Sequence, residues 1–297
     1  MDVKHLLIIG VLASLVVTFS GCTLPGQGGE KETPVVTQVP NEGIIIEYFG
    51  PSESYIIGGQ DVEVKVRVRN VGQANGTVED IKWPESLYGI FESYSEPTDC
   101  EGEELSPPNP DKKQEGESCE ASTGSLTTKS VQAQKTYSGE GFKVSVKYTY
   151  TTKAQVHIPV YSTAIVNEKR RAGTLPSYHP PTENTYAPIK LYYEGDAYLE
   201  KGKTYKEKIT VSNVGSGRLD VDQWGRQKIT KIDVSTPVGW ATITDTDCED
   251  GTTLSKGYCE FEVEIKSSAP DETTLPLTIK ATYTYIVEKS SSITIRP

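Results

Sequence analysis

The strongest constraint on the fold is a repeat. Residues 65–72 read KVRVRNVG, with valines alternating with charges until an Asn-Val-Gly halts the run, and residues 208–215 read KITVSNVG. A shift of 143 residues superposes the two, and the same shift sets Tyr55 on Tyr198 and Gly59 on Gly202. A period of two that recurs at a long fixed spacing means one β unit built twice. Downstream, TDCE occurs at 98–101 and 246–249, and Cys-Glu at 119–120 and 259–260. Both copies close alike, with FKVSVKYTY at 142–150 and LTIKATYTY at 277–285, followed by Ile158 and Val160 in one and Ile293 and Ile295 in the other. Each closing stretch is expected to turn back as a hairpin. The Asn-Val-Gly is expected to be a turn in which Asn and Gly tolerate positive φ.

A chain of 297 residues has room for two such units. Its 17 Tyr, 26 Gly and 18 Pro, with little Ala, Leu, Glu and Lys at helical spacing, favour sheet over helix. Short alternating strands in units of this size indicate two-sheet sandwiches, with one face of each strand buried. The modules are placed at 43–161 and 188–297, joined by a proline-rich linker at 162–187 in which 164–172 suit one or two helical turns. The run Lys169-Arg170-Arg171 reads as a solvated part of that linker.

VRVRNVGQANG and ITVSNVGSGRL resemble the opening half of the CARDB-type and related immunoglobulin-like modules of archaeal and bacterial surface proteins. The resemblance implies an all-β fold of two tandem immunoglobulin-like β-sandwiches with an adhesive, stalk or structural role. It brings no catalytic residues with it. The cysteine-bearing loop and the YTY stretch lie outside the pattern.

The N-terminus says where such a chain works. Lys4 and His5 precede an apolar run at 6–19, which is too short for a membrane span of about 20 residues and suits a signal peptide at 1–21. Ser20-Gly21-Cys22 resembles a lipobox, with Phe19 standing where Leu is preferred, so Cys22 is the expected lipid attachment site. Residues 22–42, rich in Gly, Pro, Gln, Glu and Thr, then read as a disordered tether. These features place the folded part outside the cytoplasm, anchored to the membrane and facing outward. Four further cysteines, Cys100, Cys119, Cys248 and Cys259, suit an oxidising setting. Of their three possible pairings, Cys100 with Cys119 and Cys248 with Cys259 is the one that repeats.

Charge and composition narrow the chemistry. A net charge of −11, from 41 acidic against 30 basic residues, repels phosphate and excludes nucleic acid as a partner. His5 leaves with the signal segment, His157 falls on the outer face of a closing strand and His179 in the linker, so no catalytic histidine set forms. No enzyme, cofactor or metal is expected. A hydrolase using carboxylates alone is a third-ranked alternative. The acidic stretch at 245–250 lacks the EF-hand pattern and reads as a solvated loop rather than a calcium site. Tyr148, Tyr150, Tyr283 and Tyr285 share phase with core residues, whereas Trp83, Trp224 and Trp240 near loops keep glycan binding open. Asn75-Gly76-Thr77 is a glycosylation sequon and favours an archaeal source. The function expected is non-catalytic, in adhesion, surface-layer organisation or assembly with envelope proteins. Binding of a polysaccharide or solute is the alternative.

Overall fold

A computed structural model describes residues 38–221, 229–246 and 257–297. In chain order the first repeat forms β1 (Ile44–Pro51), β2 (Tyr55–Ile57), β3 (Val64–Asn70), β4 (Gly76–Lys82), β5 (Ser118–Ser122) and β6 (Lys135–Tyr161). A helix α1 (Thr163–Ala172) and β7 (Thr182–Asn184) follow. The second repeat then forms β8 (Ile189–Tyr193), β9 (Leu199–Glu200), β10 (Lys203–Asn213), β11 (Ile229–Ser235), β12 (Ala241–Thr246), β13 (Tyr258–Ile265) and β14 (Glu272–Arg296). The all-β class stands, and Pro34–Pro297 is one compact unit.

The expected closing hairpins do not form. β6 is a single strand of 27 residues and β14 one of 25. They pair antiparallel along nearly their whole length, from Glu272 with Tyr161 to Ile295 with Lys135. The reason lies in the residues after each YTY. TTKAQVH at 151–157 and IVEKSSS at 286–292 hold no Gly, Pro, Asn or Asp to make a tight turn. In β6 the inward phase never slips, because Thr152, Ala154, Val156, Ile158 and Val160 are all buried. At about 3.3 Å per residue, β6 spans roughly 85 Å if straight.

Two small sheets pack on this ladder, β1-β3-β5 for the first repeat and β8-β10-β13-β12 for the second. β1 lies against β14, where Lys289 Nζ donates to the carbonyls of Ile46 (3.0 Å) and Glu47 (2.6 Å). β8 lies against β6, where Thr152 Oγ1 donates to the Ile189 carbonyl at 2.9 Å. The distal half of each long strand therefore serves the opposite repeat. β2 pairs in parallel with Thr294, Ile295 and Arg296 of β14, and β9 pairs in parallel with Val160 and Tyr161 of β6. The repeats are thus strand-exchanged within one chain and share one buried apolar cluster. The superposed glycines after β2 and β9 are both left-handed, with φ of +86° at Gly59 and +78° at Gly202.

Four buried tyrosines meet at the middle of the ladder. Tyr148 pairs with Tyr285 and Tyr150 with Tyr283, with ring centroids 5.8 and 6.5 Å apart. The Asn-Val-Gly turns sit against them, and here the expected reason for the motif fails. None of Asn70, Gly72, Asn213 and Gly215 has positive φ. Asn70 Oδ1 instead accepts from the Gly72 amide (3.1 Å) and its Nδ2 donates to the Ala74 carbonyl (2.7 Å). Asn213 repeats this with Gly215 (3.1 Å) and Gly217 (2.9 Å). Tyr150 and Tyr285 donate their hydroxyls to the two Asn Oδ1 atoms, at 3.4 and 2.7 Å. Glycine is required by close approach. A Cβ on Gly72 would lie 2.1 Å from the Tyr150 hydroxyl, and one on Gly215 would lie 2.8 Å from that of Tyr285.

The connecting segments are ordered by identifiable contacts. α1 is capped by Ser162, whose Oγ accepts from the Ile165 amide, and ends at left-handed Gly173. Residues 38–42, at the end of the expected tether, dock on the turns. Val39 N donates to the Val71 carbonyl at 3.1 Å, and Ser216 N donates to Glu42 Oε1 at 3.0 Å. Cys100 and Cys119 are bridged, with Cα atoms 5.7 Å apart. Cys259 is disulfide-bonded as well, while Cys248 lies outside the described residues.

Candidate functional site

Duplication lets one repeat serve as the control for the other. Through the pairing of Phe49 with Val66 and of Tyr193 with Ile209, Tyr193 occupies the place of Phe49. The shift of 143 residues sets Glu200 on Ile57, Tyr205 on Val62 and Glu207 on Val64. Four apolar positions at one corner of the first repeat are therefore polar in the second. Both Val64 and Glu207 are 0 % exposed, so a carboxylate stands where the fold alone takes a valine.

Local geometry accommodates Glu207 in part. Its Oε2 accepts from the Tyr193 hydroxyl at 2.6 Å and from the Asp196 amide at 2.9 Å, while its buried Oε1 has no hydrogen-bond partner among the described residues. Gly195 makes the room, since a Cβ there would lie 1.5 Å from Oε2. His179 reaches over from the linker and donates through Nδ1 to the Gly195 carbonyl. Burial raises the Glu207 carboxyl above its ordinary value, only partly opposed by the Tyr193 and Asp196 hydrogen bonds. Burial and the adjacent Glu207 charge likewise push the Tyr193 hydroxyl up.

Asp196 also lines an open groove of about 410 Å³, together with Ser177, Tyr198, Glu200, Lys203 and Tyr205. Lys203 pairs with Glu200 at 3.0 Å but is half exposed, and the Tyr205 hydroxyl accepts from the Glu200 amide at 2.8 Å. Carboxylates that accept and rings that stack can together hold a small polar or cationic ligand.

The residues singled out in the sequence distribute differently. Asn75 is exposed beside β4, and its Nδ2 donates to Glu104. His157 is exposed on the outer face of β6, opposite Pro276. The four tyrosines are core, Trp83 is buried, Trp240 packs against the core from a partly exposed position, and Trp224 lies outside the described residues. The expected lipid site Cys22 and the side chains of the acidic stretch at 245–250 lie outside them too. Among the described residues no group of three or more His, Cys, Asp or Glu is placed to hold a metal ion. Sequence reading missed Glu207 because KEKIT looks like any half-solvated strand. The signal that would have found it is the alignment of Glu207 with Val64. No family model and no curated protein matches the chain.

Proposed function

We propose that the protein is a non-catalytic surface lipoprotein that contacts other envelope proteins, held to the membrane through Cys22 and displaying two CARDB-like, immunoglobulin-like lobes outward. The observation that carries this reading is β2. Tyr55 and Ile57 are 65 % and 52 % exposed on either side of buried Ile56, on a strand at the margin of the long sheet. Exposed Tyr88 lies at the same end, which is tied together by the Lys129 amide on the Ile90 carbonyl and the Gly59 amide on that of Thr128. Large outward side chains on a marginal strand suit addition of an extended segment from a partner. Such a segment gains main-chain hydrogen bonds from the edge and apolar contact from the side chains.

Capture of envelope proteins from a solubilised membrane fraction tests this reading. The unaltered chain is expected to retain a partner that Tyr55→Ser with Ile57→Lys loses, and equal retention by both refutes it. Mass spectrometry of the same fraction tests the anchor, for which a mature N-terminus other than a lipid-modified Cys22 is the refuting result. A second reading, binding of a glycan or solute, is favoured by the groove beside Glu207.

A further inference from the structure

The polar corner of the second repeat carries a more specific reading of that ligand-binding alternative, on which it rests. A carboxylate is costly at a core position, and Glu207 has the Tyr193 hydroxyl, the Asp196 amide and the His179 ring as neighbours, with no lysine or arginine among its partners in the described residues. Among the described residues one of its oxygens is buried without a partner, and the other accepts from the amide of Asp196, a residue that lines the groove. Beside Asp196 the groove is lined by Glu200, Tyr198 and Tyr205. Among the described lining residues Lys203 stands against the acidic Asp196 and Glu200, and it pairs with Glu200 at 3.0 Å. The first repeat keeps Ile57, Val62 and Val64 at the matching positions, so the fold does not require any of this.

We propose that this corner binds a small molecule through a protonated amine, held by Asp196 and Glu200 against Tyr198 and Tyr205, with Glu207 beside Asp196 as the charge that the ligand compensates. Anions are repelled by three carboxylates, and a neutral polyol leaves the Glu207 charge uncompensated. An ammonium group satisfies the accepting carboxylates and the faces of the tyrosine rings at once. A groove of about 410 Å³ is of small-molecule size.

Nuclear magnetic resonance titration of the full chain at neutral pH, with glucosamine and glucose as matched probes, decides it. Glucosamine is expected to give saturable shifts at Asp196, Ala197 and Tyr198, and glucose much weaker ones. Asp196→Asn, at the surface, and Glu200→Gln, at a partly buried position, are expected to weaken glucosamine roughly tenfold each. Glu207→Val with Tyr193→Phe, which restores the apolar types of the first repeat, is expected to weaken it while leaving the spectrum folded. Equal response to glucose and glucosamine overturns the amine and leaves solute binding standing. No saturable shift with either overturns both, and full affinity in Asp196→Asn and Glu200→Gln removes the groove as the site.

Discussion

Thr149 and Thr284 face each other across the central ladder and are also the same position of the two repeats. A cross-strand pair can be its own image only on a two-fold axis, so the chain is a closed pseudo-dimer written as one polypeptide. The hydroxyls of both threonines point at one carboxylate, that of Glu79. To either side, β4 pairs with β6 as Leu219 and β11 pair with β14.

Because each lobe stands on strand halves from both repeats, cutting the connection between repeats does not separate them. Trypsin is expected to nick α1 at the Lys169-Arg170-Arg171 run, of which Arg171 is exposed. The two fragments are expected to co-elute in gel filtration and part only in denaturant, with a single unfolding transition before and after the cut. Fragments that separate without denaturant count against strand exchange.

Gly72→Ala forces a methyl to within 2.1 Å of the Tyr150 hydroxyl and 2.7 Å of the Glu42 carbonyl. A loss of about 1–3 kcal/mol in urea unfolding is expected, as for other overpacked sites. Adding Tyr150→Phe removes the nearest atom but not the carbonyl, so the pair should recover part of the loss, and strict additivity is the adverse result.

Glu207 sets a pH dependence whose sign is fixed. Its carboxyl is raised in the folded state above the ordinary 4.5, so as pH falls from neutral the folded chain takes up this proton before the unfolded chain does. The contribution to stability is fully present below 4.5 and is lost as pH rises through the folded value. Glu207→Gln is therefore expected to be more stable than the parent at neutral pH, by roughly 1–3 kcal/mol, with the two converging near pH 4.5. Denaturant titrations at a series of pH values read this directly. The groups facing Glu207 are Tyr193, His179 and both the amide and the carboxylate of Asp196, so Asp196→Asn is the control for the neighbouring charge.

Removing the bridge by Cys100→Ser with Cys119→Ser reopens a loop of 19 residues. The expected cost is about 3 kcal/mol on the chain-entropy account. Equal thermal midpoints for the parent with and without reductant refute that.

Much of the framework was legible because alternation and repetition are local signals. The β class, the first-repeat bridge and the burial of the four tyrosines follow from period and phase. Strand exchange was not legible, since Ile158 and Val160 carry the same inward phase whether the strand folds back or runs on. Only the missing turn residues at 151–157 and 286–292 spoke against a hairpin. The Asn-Val-Gly was located correctly and explained wrongly, because what excludes a side chain at Gly72 is a tyrosine 78 residues downstream. The groove escaped notice because Ser177 and Asp196 meet only through the fold.

Fusion of the two repeats has a consequence for divergence. In a homodimer of identical subunits, any substitution that tailors one end is copied at the other, so a charge as costly as that of Glu207 is borne twice. Joined in one chain and knitted through β6 and β14, the ends are free to specialise separately, and they have done so: Ile57 and Val64 keep one end apolar, while Glu200 and Glu207 put carboxylates into the other.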